Sequence, residues 1–90
     1  MDRAAAYSLI ARKLSEYSAA GYDSLSRRIS SPPAEELVQL SGNPVIVAVR
    51  VLPARNSPGS IIVEASAYGQ NGTWDDQLSD RIIVDPPSAA

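Results

Sequence analysis

The sequence contains neither cysteine nor histidine among its 90 residues. Without cysteine the chain has no disulfide, no thiolate nucleophile and no cysteine-ligated zinc, haem or iron–sulfur centre. Without histidine it lacks the most common general base and the most common ligand of transition metals. We therefore expect a protein that is not an enzyme, with no catalytic residue, no cofactor and no metal site.

Clustered positive charge is also scarce. Eight basic residues stand against ten acidic ones, and the net charge is −2. Basic residues form no cluster longer than a pair such as Arg27-Arg28. Because a surface that tracks nucleic-acid phosphates needs clustered Lys and Arg, we expect no nucleic-acid partner.

Long hydrophobic runs are missing as well. The longest uninterrupted run, Val45 to Val49, is far shorter than the roughly 18 to 20 apolar residues that span a bilayer. The first residues lack a basic stretch followed by an apolar one, so no signal peptide is evident. We expect a cytoplasmic protein without membrane contact. The excess of arginine over lysine suggests a GC-rich bacterial gene.

The first 29 residues carry apolar and aromatic side chains at steps of three and four, the spacing of an amphipathic helix. Asp2, which precedes Arg3 and three alanines, can cap the start of this helix. Gly21 interrupts the pattern, so we expect either one helix over 2–29 that bends there or two helices that meet there. Two prolines after Ser31 end the helical segment. Its predicted core side consists of Tyr7, Ile10, Leu14, Tyr17, Tyr22, Leu25 and Ile29.

After Pro33 the pattern changes to short β-branched segments separated by turn-forming residues. Connections this short favour antiparallel neighbours, because parallel strands need a crossover of a dozen or more residues. We therefore predict an α+β fold in which the N-terminal helix packs on a four-stranded antiparallel meander. The chain is expected to form one domain over 1–90, with a sheet over 35–85 and a frayed tail over 86–90. The predicted strands are 35–40, 45–52, 61–68 and 77–84.

Trial registers across the three turns separate the strand residues into two faces. One face is apolar throughout and is expected to lie under the helix. The other carries a row of alternating charge formed by Glu35, Arg50, Glu64 and Arg81, in which each neighbour has the opposite sign. The registers used pair Leu40 with Val45, Leu52 with Ile62 and Tyr68 with Gln77.

The second face also carries more apolar side chains than a face that only meets water requires, Leu37 among them. Large exposed apolar patches usually mark interaction sites. We therefore predict a protein–protein interaction module that forms a homodimer or binds an unidentified protein partner through this face. The predicted interface residues are Ile46, Arg50, Leu52, Ile62, Glu64, Tyr68, Arg81 and Ile83.

Two alternative functions remain open. The first is a small-molecule-binding domain or minimal enzyme with a pocket between helix and sheet, lined by Tyr17, Tyr22 and Trp74. The second is an inhibitor or immunity-type protein that acts through its loops, with Arg55, Asn71 and Trp74 in the contact.

Two further features favour a structural interpretation. The acidic residues near the end of the chain lack the ordered spacing of an EF-hand loop, so we interpret them as a solvated acidic loop. Lys13 has no partner at useful spacing along the helix and is expected to be solvated. The acidic residues in question are Asp75, Asp76, Asp80 and Asp85.

Overall fold

The computed structural model describes residues 2–69 and 77–87. It contains two helices followed by four strands, and the strands pair antiparallel in the order β1-β2-β3-β4. The predicted α+β fold, a helical segment on a four-stranded antiparallel meander, is confirmed. The elements are α1 (Arg3–Ala20), α2 (Tyr22–Ser26), β1 (Ala34–Leu40), β2 (Asn43–Pro53), β3 (Ile61–Gly69) and β4 (Gln77–Val84).

The helical segment consists of two helices that meet at Gly21. The carboxylate of Asp2 caps α1 by accepting a hydrogen bond from the backbone N–H of Ala5 at 3.1 Å. Its other oxygen accepts from the hydroxyl of Ser41 at 3.1 Å, which ties the start of α1 to the β1–β2 turn. These two hydrogen bonds lower the pKa of Asp2. Gly21 ends α1 with φ 90° and ψ 160°, a conformation essentially restricted to glycine.

The buried stripe of α1 is rotated relative to the predicted one. Leu9, Ile10 and Leu14 are buried, together with Ala6, whereas Tyr7 is 50% exposed. The prediction that Tyr7 faces the core was wrong. At 100° per residue Tyr7 lies at the margin of a stripe centred near Ala6 and Ile10, so its ring remains accessible to water.

The first hairpin is tighter than predicted. Val38 is opposite Val45, and Leu40 is opposite Asn43 rather than Val45. The reason is the turn: Ser41 and Gly42 both have positive φ, 51° and 81°, as a two-residue type I′ hairpin turn requires. The shift of two residues keeps every side chain on its predicted face, because the strand period is two. The other two registers are confirmed, with Leu52 opposite Ile62 and Tyr68 opposite Gln77.

The hydrophobic core lies between the helices and one face of the sheet. Leu25 of α2 is completely buried in it, so this short helix contributes an anchor to the same core as α1. Neither helix in the described part of the chain is long and apolar enough to cross a membrane. The buried core residues are Ala6, Leu9, Ile10, Leu14, Leu25, Val45, Val47, Val49, Val51, Ile61, Val63, Ala65, Ala67 and Leu78.

Polar contacts close the core at the β2–β3 loop. The hydroxyl of Tyr22 donates to the carbonyl of Gly59. Ser60, which is only 4% exposed, donates through its hydroxyl to the Asp85 carboxylate at 2.7 Å. Because buried hydroxyls cost free energy unless they are hydrogen-bonded, these contacts allow the loop to seal the apolar core.

Replacing Gly21 with Ala should lower the free energy of unfolding by about 1–3 kcal/mol, the cost of holding a non-glycine residue in this backbone conformation. A Cβ added at Gly21 would meet no atom within 4 Å, so the cost comes from the backbone and not from a clash. Urea denaturation monitored by circular dichroism measures it. An unchanged urea midpoint would show that Gly21 does not adopt this glycine-specific conformation between α1 and α2.

Candidate interaction surface

The side of the sheet turned away from the helices is called here the outer face. Strand alternation places every second residue on it, and antiparallel pairing aligns these residues in rows across the strands. The first apolar row contains Leu37, Ile46 and Tyr68, followed by Gln77. The small row consists of Ala48, Ser66 and Ser79, and Glu35 of β1 lies beside Ala48 at its end. The charged row contains Arg50, Glu64 and Arg81, and the second apolar row contains Leu52, Ile62 and Ile83.

The two apolar rows lie at opposite ends of the outer face. Leu37 is 58% exposed and Ile83 is 61% exposed, and the other members of the two rows are partly exposed. Along β2, Arg50 of the charged row is four positions after Ile46, and Leu52 is six positions after it. At about 3.3 Å per residue, the two apolar rows are therefore about 20 Å apart. All the predicted interface residues thus lie on one surface, and their part in an interface stays a prediction.

The charged row is shorter than predicted. Arg50 lies opposite Glu64, with 3.6 Å between Nη2 and Oε1, and Glu64 lies opposite Arg81. Glu35 was predicted to extend this row beside Arg50, and that prediction was wrong. The tighter Ser41–Gly42 turn moves Glu35 opposite Ala48 instead. The Arg50–Glu64 pair is partly exposed, so it contributes at most about 1 kcal/mol to stability and matters more for the charge pattern of the surface.

Sequence reasoning missed the small row. Ala48, Ser66 and Ser79 align across β2, β3 and β4, and their side chains extend only one heavy atom beyond Cβ at most. Beside the long side chains of the charged row they leave a shallow furrow across the sheet. The signal was present in the sequence, because the two correct registers place these residues opposite one another.

The edges of the sheet carry charge. On β1, Glu35 and Glu36 are exposed, and on β4 Asp80 and Arg81 are exposed. Charged residues on edge strands oppose the addition of another strand. The sheet is therefore better suited to contact through its outer face than through its edges.

An ion pair on the helix side fastens α1 to the edge strand β1. Lys13 Nζ donates to Glu36 Oε2 at 2.6 Å and lies 4.0 Å from Glu16 Oε2. The prediction of a solvated, unpartnered Lys13 was wrong. The hydrogen bond lowers the pKa of Glu36 and raises that of Lys13. Helical spacing could not reveal this partner, because Glu36 lies 23 residues further along the chain.

Several clefts flank α1 in the described part of the chain. One, of about 550 Å³, lies between α1 and β4 and is lined mainly by small side chains of the helix, with Asp80 and Ile82 on the strand side. Another, of about 380 Å³, is bordered by Tyr17 and Arg28, whose guanidinium lies 5.2 Å from the Tyr17 ring centre. Trp74 of the predicted pocket lies outside the described residues.

Of the remaining predicted features, Asn71, Asp75 and Asp76 lie outside the described residues. Asp80 accepts a hydrogen bond from the backbone N–H of Arg81, and Asp85 accepts from Ser60. Among residues 2–69 and 77–87 no group of three or more acidic side chains is placed to hold a metal ion. Arg55 is exposed in the β2–β3 loop.

Replacing Glu36 with Gln should lower the melting temperature at pH 7 and have little effect in acid. Because folding lowers the pKa of Glu36, the stabilisation by its charge is present above the ordinary carboxyl value of 4.5. It is lost as the pH falls through the lower value of the folded state.

Glu35→Gln is the matched control, since it removes a neighbouring charge from the opposite side of β1. Melting curves of both variants from pH 7 to acid pH provide the measurement. An equal loss of stability at every pH in Glu36→Gln would show that the charge of this carboxylate is not what stabilises the contact.

Comparisons with protein-family models, with curated proteins and with solved structures found no match.

Proposed function

We propose that this protein is a non-catalytic interaction module that self-associates through the outer face of its sheet. The observation that carries the proposal is the pair of apolar rows on a face that neither helix covers. When one face of a sheet only meets water, its strands usually alternate between apolar residues on the buried face and polar residues on the exposed face. Exposed apolar side chains grouped on one surface in this way are typical of protein–protein contacts.

The size of the outer face supports a specific contact. Four strands spaced about 4.8 Å apart, with about seven residues each, of which every second one lies on the outer face, span roughly 19 by 23 Å. Two such faces in contact remove on the order of 1,000 Å² from water, which is the lower limit for a specific interface. The contact would therefore be of modest strength and sensitive to a single charge placed at its apolar rows.

A second copy of the chain is the occupant that the surface pattern favours. A two-fold interface uses the same patch on both subunits, so the patch must be complementary to itself. The outer face meets this condition because it has an apolar row at each end and, between them, long charged side chains beside small ones. The charged edge strands favour contact through the face over pairing through an edge.

Ile83→Glu and Ile62→Glu should convert the dimer to a monomer, because each places a carboxylate among apolar side chains that lose contact with water. Ile83 is 61% exposed, so its substitution leaves the fold of the subunit intact. Tyr7→Glu is the matched control, since Tyr7 is 50% exposed on α1 and lies away from the outer face. Size-exclusion chromatography with light scattering measures the mass, and circular dichroism verifies the fold.

The proposal expects about 19 kDa for the unmodified chain and for Tyr7→Glu, twice the chain mass of 9.5 kDa, and 9.5 kDa for the two isoleucine variants. A dimer that survives both isoleucine substitutions would move the contact to another surface. A monomer in every case would contradict self-association and leave the outer face to a different protein.

A further inference from the structure

We propose that two copies pack outer face on outer face about a two-fold axis that runs across the strands. The first apolar row of each copy then lies on the second apolar row of the other. This inference rests on the proposed self-association and adds to it the geometry of the contact. It follows from the order of the four rows along the strands and from the size of their members.

Only two arrangements keep the strands of the two sheets roughly aligned, as sheet packing favours. An axis parallel to the strands places each row on the same row of the second copy, with β2 lying over β3. An axis across the strands reverses their direction, so that β2 lies over β2 and β3 lies over β3. Each apolar row then lies on the opposite apolar row, and the charged row lies on the small row.

The volumes of the side chains favour the axis across the strands. Packed sheets lie about 10 Å apart, and their side chains interdigitate at the density of an organic crystal. If each row met itself, Arg50 would lie over Glu64 of the second copy and these two long side chains would compete for space, while Ala48 and Ser66 would face one another across a void. If the charged row meets the small row, each long side chain lies over a small one. The layer then has an even thickness.

The charges are compatible with the same axis. Both axes bring the same charged side chains into the contact, so the cost of removing them from water does not distinguish the two arrangements. With the axis across the strands, Arg50 retains its partner Glu64 in its own chain at 3.6 Å, and each charged row faces the uncharged Ala48, Ser66 and Ser79 of the other copy.

The small row also supplies hydrogen-bonding groups where they are needed. Across this axis the hydroxyl of Ser66 in one copy lies over Glu64 of the other, and that of Ser79 lies over Arg81. A serine hydroxyl can donate to a carboxylate or accept from a guanidinium. The polar middle of the contact is thereby satisfied, while the two apolar ends exclude water from it.

Single introduced cysteines test the axis, because the chain contains no other cysteine. Ile46 of one copy is expected to lie over Leu52 of the other, at about the 10 Å that separates packed sheets, so an equal mixture of Ile46→Cys and Leu52→Cys treated with a bismaleimide that spans about 10 Å should give a mixed cross-linked dimer. Ile46→Cys alone should not cross-link, since its two copies would lie about 20 Å apart, beyond the reach of the reagent.

Ile46→Cys mixed with Tyr68→Cys is the matched control, because an axis along the strands would bring these two positions together. Mass spectrometry identifies which chains are linked, and the mass measured before the reagent is added verifies that each variant still dimerises. Cross-linking of Ile46→Cys to itself or to Tyr68→Cys would overturn the proposed axis while leaving self-association intact. A dimer that gives none of these cross-links would overturn the contact through the outer face, and a monomer would overturn self-association itself.

Discussion

A helix of 18 residues is about 27 Å long and about 10 Å across with its side chains, which is enough to cover one face of a small four-stranded sheet. In this protein α1 covers the face formed by Val45, Val47, Val63 and their neighbours, and α2 adds Leu25 to the same core. The described part of the chain contains no third helix for the other face. The apolar rows of the outer face therefore remain exposed in the single subunit, because neither helix lies on that face.

Several polar contacts hold the helices in place over the sheet. Asp2 links the start of α1 to Ser41, Lys13 links its middle to Glu36, and Tyr22 links α2 to the carbonyl of Gly59. Each contact is modest by itself, since exposed hydrogen bonds and ion pairs contribute on the order of 1 kcal/mol or less. Their positions matter more, because together they fix the helices at both ends of the sheet and leave the outer face to the strands alone.

The β-branched segments between turn-forming residues were enough to predict the four strands, and their short connections predicted the antiparallel order. The period of two along a strand then predicted both faces of the sheet. Opposite charges at Arg50 and Glu64 identified the register of β2 and β3. The first hairpin escaped prediction because Ser41 adopts a positive φ, a conformation that is uncommon outside glycine and for which serine gives no signal.

The ion pair between Lys13 and Glu36 and the exposure of Tyr7 also escaped prediction, for a related reason. Both depend on how α1 is rotated and placed over the sheet, which is a property of tertiary packing and not of helical spacing. The rows of the outer face could be predicted in part. The members of each row follow from the registers, whereas the position of the small row beside the charged row becomes evident only when all four strands are aligned.

Sedimentation equilibrium of the unmodified chain over a wide range of concentrations shows whether two copies associate. Because the proposed contact through the outer face is of modest area, we expect a mass that rises with concentration from 9.5 kDa towards about 19 kDa, twice the chain mass. A mass of 9.5 kDa at every concentration would mean that the outer face does not join two copies.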